Sequence, residues 1–337
     1  MAMRKGPVRV LHYGLGPIGA AVVRQVASRR GFRIVGAVDI DPAKIGRDLG
    51  EVANVGRALR VKVLDDPRKA IKASKPDVVV LCTQSSLKKV TPQVEAILKL
   101  KVPIVSTTEE LAYPTSGNMK YARAIHRMAK KAKVAVLGTG VNPGFTMDAL
   151  PITLTGVCER VDAIRVDRVQ DARIRRLPFQ QKIGAGLTRE QFQKKVDDGS
   201  VRHVGLAESI SMIAGAMGWK LEKITDEIQP RIAAETVASE FLAVDPGYVC
   251  GIVQDGVGYR NGRPIITLHM EAYLGAPESF DAVEITGSPS LKMKIDGGVH
   301  GDVATASITV NSIPKVVAAV PGLHTMRDMP IPSYFGG

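Results

Sequence analysis

The 337-residue chain has no run of about 18 uninterrupted apolar residues, the length a helix needs to cross a bilayer, so no membrane-spanning helix is expected. Cysteine is scarce. Cys82, Cys158 and Cys250 are odd in number, far apart and without CxxC or Cys/His metal spacing, which argues against a disulfide framework or a metal site and leaves reduced, mostly buried thiols. Aromatic residues make up only 4%, and they are not interleaved with basic residues as a base-stacking surface requires. Met1 to Pro7 lacks the apolar core of a secretory leader and runs straight into Val8-Arg9-Val10-Leu11-His12-Tyr13, so a cytoplasmic protein is expected.

Acidic residues are also in deficit: 33 Asp plus Glu against 46 Lys plus Arg give a formal charge of +13. The basic residues are spread over helix faces, for example Lys88-Lys89, Arg123, Arg127 and Lys130-Lys131, which reads as solvated surface rather than a nucleic-acid footprint. A positive field also suits an anionic cofactor. The length fits two domains of ordinary size.

Over the first 140 residues short β-branched runs alternate with amphipathic segments, the rhythm of βαβ units on a parallel sheet. Six strands are predicted, at Val8 to Tyr13, Arg33 to Val38, Val61 to Leu64, Asp77 to Cys82, Pro103 to Ser106 and Val134 to Leu137, as in a doubly wound domain. Asp41-Pro42 and Thr91-Pro92 each read as a cap followed by proline at the first helical position. Helices are expected over Thr91 to Leu100 and Asn118 to Lys133. Beyond the turn-rich Gly138 to Phe145, longer alternating strands at Val161 to Val169, Val249 to Gln254, Ile265 to Leu274, Ala282 to Ile285 and Leu291 to Ile295 predict a mostly antiparallel sheet, with helices near Thr188 to Asp197 and Val204 to Ala216. Arg260-Asn261-Gly262 reads as a tight hairpin turn. The predicted class is α/β: a dinucleotide-binding Rossmann domain over 1–147, an α+β substrate-binding and dimerisation domain over 148–302, and a tail over 303–337, helical in two pieces split at Pro314, packed back on the first domain.

Gly14-Leu15-Gly16-Pro17-Ile18-Gly19 fits GxGxxG directly after a strand and at the start of a helix. The three glycines serve the tight turn, the approach of a pyrophosphate and close helix–strand packing, and the helix N-terminus faces the phosphates. Asp39, 20 residues beyond Gly19 at the end of the second strand, is placed to take the ribose hydroxyls, which favours NAD. Lys44 and Arg47 stand near enough to keep NADP open. Thr83, Gln84 and Ser85 follow the fourth strand as further cofactor contacts.

Ser106-Thr107-Thr108-Glu109-Glu110 follows the fifth strand. Thr107 with Glu110 has capping-box spacing, and so does Ser106 with Glu109. If Thr107 is the cap, Glu109 is left to face a cleft near the nicotinamide and act as an acid or base on an amine; Thr107 itself is a candidate cofactor contact. Asn142 suits a reach to the nicotinamide or substrate. Phe145, Phe179, His203 and Leu206 are the candidate substrate contacts. No metal site is expected.

Together, His12 to Gly19, Ser106 to Pro114, Gly138-Thr-Gly-Val-Asn-Pro-Gly-Phe-Thr-Met-Asp148, Val249 to Ile252, Gly301 to Ala306 and Thr325 to Pro330 resemble the 2,4-diaminopentanoate dehydrogenase family and its relatives, the native amine dehydrogenases. The resemblance implies a homodimer, with a first domain like that of dihydrodipicolinate reductase, that interconverts a primary amine with its carbonyl compound plus ammonia using NAD or NADP. It also implies that a glutamate of the fifth-strand motif is the acid/base, carried here by Glu109 with Glu110 as the fallback. A dihydrodipicolinate reductase would carry paired histidines, a homoserine dehydrogenase a lysine at Glu109, and a redox-sensing regulator an attached nucleic-acid module; none of these is seen. A carboxylated substrate would call for basic pocket residues among Arg165, Arg168, Arg173, Arg175 and Arg176. Simple amines would call for the apolar trio Phe145, Phe179 and Leu206.

Overall fold

The computed structural model describes residues 6–336. The chain divides into two compact units, one made of the residues up to Phe145 together with those from His300 onward, the other of Thr146–Val299.

In the first unit the chain order is β1 (Val8–Tyr13), α1 (Pro17–Ala27), β2 (Phe32–Val38), α2 (Leu49–Val52), β3 (Val63–Leu64), α3 (Pro67–Ser74), β4 (Val78–Leu81), α4 (Leu87–Leu98), β5 (Ile104–Ser106), α5 (Glu109–Ala112), α6 (Met119–Ala132) and β6 (Ala135–Gly138). The second unit contributes α7 (Ala149–Thr155), β7 (Arg160–Asp171), α8 (Leu177–Lys182), α9 (Arg189–Asp197), α10 (Leu206–Ala216), β8 (Lys223–Ile232), β9 (Val237–Ala238), β10 (Ala243–Val244), β11 (Val249–Arg260), β12 (Arg263–Tyr273), β13 (Phe280–Ser288) and β14 (Leu291–Asp296). The chain then returns to the first unit with α11 (Gly301–Val317) and β15 (Gly322–His324).

The first sheet has the order β15-β6-β5-β4-β1-β2-β3 and every pairing in it is parallel. Its strand order reverses between β1 and β4, where ligands bind outside the carboxyl ends of the strands of a doubly wound sheet. The strands are apolar on both faces because helices cover both. In α1 the buried residues Gly19, Val22, Val23 and Val26 recur at helical spacing, and burying each valine contributes roughly 1.5–3 kcal/mol. β15 was not foreseen: three residues are too short for a periodic signal, and parallel pairing with β6 makes them a strand.

Two helix boundaries differ from expectation. α4 begins at Leu87 rather than after Thr91, and Pro92 lies inside it. An acceptor from another segment caps the first turn, and the Thr91 hydroxyl turns back onto Leu87 O (2.7 Å) instead of capping. α11 is likewise one helix with Pro314 inside, packed along α1 and across β4, β5 and β6. That packing offsets the hydrogen bond proline removes. Asp41 caps a run of turns rather than a regular helix, accepting from Ala43 N (3.0 Å).

The second sheet has the order β14-β13-β7-β12-β11-β8, and only the β7–β12 pairing is parallel. Asn261 (φ 51°) and Gly262 (φ 69°) make the β11–β12 turn, the left-handed pair a two-residue hairpin needs. Helix α10 lies on one sheet face with Leu206 and Ile210 over Gly256, so that a Cβ at Gly256 would stand 3.0 Å from Ile210 and 3.1 Å from Leu206. Strand β8 and helix α8 had no clear sequence signal. One buried guanidinium organises the end of this unit where the chain enters and leaves: Arg168 ion-pairs with Asp281 and donates to Thr146 Oγ1 (3.1 Å) and Val299 O (2.7 Å).

Candidate active site

The carboxyl edge of the parallel sheet collects the candidate cofactor residues. Gly14 turns at φ +91°, and a Cβ there would lie 2.4 Å from Cys82 O. A Cβ at Gly19 would lie 2.0 Å from Gly14 O, so helix and strand approach only because the residue is glycine. Gly16 is different. Its Cβ would meet nothing within 4 Å, and it precedes Pro17 at the first position of α1 with no side chain capping the helix. An open, uncapped helix N-terminus beside a bare backbone is what a pyrophosphate requires. Ile18 completes this turn, half-buried.

Asp39 is 7% exposed, and both its oxygens are held by backbone N–H groups, one by Leu15 (2.6 Å) and the other by Asp41 (2.9 Å). The glycine-rich turn and the end of β2 are thus fixed to each other through one carboxylate. Lys44 Nζ stands 3.6 Å from Asp39 and 3.2 Å from Asp41, whereas Arg47 is taken up by Glu51 (2.6 Å). The residues that fix Asp39 are adjacent in space only after folding, so its link to Leu15 had no sequence signal.

After β4, Thr83 donates to Gln93 Oε1 (2.7 Å), and Ser85 O accepts from Glu110 N (3.3 Å); Gln84 and Ser85 are half-buried. Cys82 lies beneath the turn, its thiol pushed up to about 11 by burial, so it is inert as a nucleophile.

The motif after β5 departs from the expected capping box. The N-cap of α5 is Thr108, without a side-chain bond to the helix. Ser106 Oγ bonds Leu81 O (3.0 Å) and accepts from Thr108 N (3.2 Å). Glu110 instead reaches α4, where its carboxylate accepts from Leu87 N at 2.6 Å. It supplies the cap that starts α4 one turn early. Glu109, half-buried, has no hydrogen bond or ion pair among the described residues. The sequence left two spacings open because α5 is a single turn whose glutamate serves a different helix. Thr107 N donates to Leu81 O (3.1 Å), and its hydroxyl meets the Cys82 thiol.

After β6, Thr139 N donates to Ser106 O (2.8 Å), and Asn142 is buried in the tight loop that follows, where a Cβ at Gly144 would lie 2.4 Å from Gly140 N. Phe145 ends this unit, half-buried.

Among the second unit's candidates, Leu206 is fully buried in the core against the β11 glycines, which makes it packing rather than an exposed wall. Phe179 is half-buried and carries the Arg175 guanidinium 4.0 Å over its ring. His203 has its Nε2 buried and without a partner. Arg165 and Arg173 pair with Asp167 and Asp171 near the surface, leaving Arg168 and Arg175 as the buried arginines of the five. No cluster of metal-ligating side chains occurs among the described residues, and none of the helices is long and apolar enough to cross a membrane.

Residues 8–139 match the family model of the dihydrodipicolinate reductase N-terminus. Fold, turn and edge define an oxidoreductase with an NAD(P)-binding domain of that type. Residues 145–337 match the 2,4-diaminopentanoate dehydrogenase C-terminal domain. A 2,4-diaminopentanoate dehydrogenase from Acetoanaerobium sticklandii is 35% identical over 332 residues, covering 96% of this chain and 94% of its own length. The chain belongs to the 2,4-diaminopentanoate dehydrogenase family. An amine dehydrogenase from Streptomyces virginiae is 23% identical over 95% of each chain. A solved amine dehydrogenase from Mycobacterium smegmatis superimposes with a TM-score of 0.87 at 25% identity, covering 98% of each chain.

Proposed function

We propose that this protein is an amine dehydrogenase interconverting a primary amine, 2,4-diaminopentanoate or a simpler one, with its ketone or aldehyde and ammonia, and that Glu109 is its acid/base. One observation carries the assignment within the motif: Glu110 is tied to α4, whereas Glu109 has no partner at the carboxyl end of β5. The names of the relatives from A. sticklandii and S. virginiae supply the substrate class.

The bound nicotinamide supplies the acceptor for a hydride from the amine carbon. Glu109 as a carboxylate removes a proton from the substrate ammonium, which frees the nitrogen lone pair to assist hydride loss. Its negative charge then favours the substrate iminium. When water adds to that carbon, Glu109 takes the water's proton and delivers it to nitrogen as ammonia leaves. Reductive amination is the same path reversed. Gly14, Gly16, Pro17, Ile18 and Gly19 cradle the pyrophosphate, Asp39 takes the adenosine ribose, and Thr83, Gln84, Ser85, Thr107 and Asn142 complete the cofactor edge. Asp39, fixed by Leu15 and Asp41, opposes a 2′-phosphate and favours NAD; Lys44 is the cation in place to admit NADP. We read the working molecule as a cytoplasmic homodimer with only small-molecule substrates.

Glu109→Gln should lower kcat by about 10²–10⁴-fold, the usual worth of a general acid/base, while NADH binding followed by fluorescence stays at the wild-type level. Undiminished turnover in Glu109→Gln, with Glu110→Gln inactive but folded, would reverse the assignment.

A further inference from the structure

The second unit contains a polar group that the chemistry above does not use. Arg175 is 6% exposed; its Nη1 donates to Gln170 Oε1 (2.9 Å), and its guanidinium lies over Phe179. Gln170 in turn donates to Val299 O (3.2 Å), the carbonyl that Arg168 also holds, so the group stands at the end of the unit where the chain leaves it. His203 is fixed through its main chain, with its N–H donating to Gln254 Oε1 (2.9 Å) and its carbonyl accepting from Gln254 Nε2 (3.0 Å). Gln254 is itself anchored on Asp226 (2.7 Å). The imidazole cannot drift, yet its Nε2 is buried and has no hydrogen-bond partner among the described residues.

An unsatisfied buried polar atom on a fixed ring calls for a ligand atom. The field there indicates which kind. The charges acting most strongly on the ring are Lys182, Arg168, Arg202 and Arg175, all cations; with burial they push its pKa down to about 3, so the ring is neutral and one of its nitrogens carries a hydrogen. An ammonium would be repelled. A neutral carbonyl would satisfy Nε2–H without using the field, whereas a carboxylate does both, and a planar guanidinium held on an aromatic ring suits it.

We propose that Arg175 and His203 form a carboxylate subsite, with Phe179 holding the guanidinium in plane, and that the physiological amine carries a carboxylate remote from the reacting nitrogen. This rests on the amine dehydrogenase reading and narrows it from primary amines in general. It also assigns Phe179 to supporting an arginine rather than lining an apolar pocket.

The test compares 4-aminopentanoate with 2-aminobutane, the same amine with hydrogen in place of the carboxylate. Wild-type kcat/KM should favour the carboxylated amine, and the ratio should fall about tenfold to a hundredfold in Arg175→Gln and in His203→Leu, the worth of a hydrogen bond to a charged group. The loss should appear in KM for the carboxylated amine, and His203→Gln, which keeps a donor, should restore part of it. A wild-type ratio near one, or a ratio unchanged in both variants, overturns the subsite. If Arg175→Gln does not fold, the His203 pair decides alone. If neither amine reduces NAD or NADP, the activity reading fails instead. Calorimetric binding of 4-oxopentanoate in the presence of NADH, wild type against His203→Leu, then still tests the subsite, and equal affinities refute it.

Discussion

The two units satisfy their buried polar groups in different ways. At the carboxyl edge of the parallel unit, polar side chains are held mostly by backbone groups of neighbouring turns: Asp39 by Leu15 and Asp41, Glu110 by Leu87, Ser106 by Leu81 and Thr108. In the antiparallel unit, charges meet charges across the fold, as Arg168 meets Asp281 and Arg202 meets Asp226. Backbone anchoring fixes position with modest energies that add locally. Charge pairing at depth makes each partner depend on the other, because removing one leaves the other buried and uncompensated.

The sharpest way to break this comparison is Asp281→Ala, which should destabilise the protein by about 3–5 kcal/mol in urea unfolding by stranding Arg168. Asp281→Leu combined with Arg168→Met should recover much of that loss. If the single variant melts with the wild type, charge pairing is not what holds the entry and exit of the second unit. In the parallel unit the largest single effect should come from Gly19→Ala, whose Cβ would meet Gly14 O at 2.0 Å. Overpacking there costs roughly 1–3 kcal/mol and should weaken NADH binding, measured by fluorescence, because the phosphate turn has to shift. Gly16→Ala, with open space around its Cβ, should keep the wild-type melting temperature yet still weaken NADH binding. Glu110→Ala comes next, at about 1 kcal/mol, the loss of a helix cap read by thermal melting, while Glu109→Ala should leave the melting temperature in place. Equal destabilisation by the two would mean that Glu109 also has a structural role.

How much of this was legible follows from the same contrast. The glycine turn, Asp39 and the glutamate pair all sit within a few residues of strand ends, where chemistry and local spacing coincide, and the hairpin at Asn261-Gly262 is legible for the same reason. What the sequence left open was settled by partners distant along the chain. Glu110 is 23 residues from the amide it caps, and Arg168 is 113 from Asp281, so no spacing rule connects them. Leu206 was read as a pocket wall because helix α10 is apolar nearly all round, and glycines on another strand decide which side it faces. Proline misled at Pro92 and Pro314, where external capping and burial carry the helix through.

Two histidines give the finest discrimination between the units. His12 in β1 and His203 each have buried ring nitrogen without a partner among the described residues, and burial pushes both down to about 3, with nearby cations adding to the effect at His203. The native state therefore holds both neutral, while the unfolded chain takes up protons near pH 6.5. Stability from this source is present in full above pH 6.5 and falls as pH drops from there toward 3, by about 1 kcal/mol per histidine at pH 5.5. His12→Leu and His203→Leu should each flatten the acid limb of urea-unfolding stability by that amount. Saturating 4-oxopentanoate should separate them: a carboxylate beside His203 raises its folded pKa and shrinks its share of the acid loss, whereas the share of His12, enclosed in the parallel sheet, should not change. A ligand that left the acid limb of His12→Leu unaltered would break the contrast, because both histidines would then be ordinary core residues.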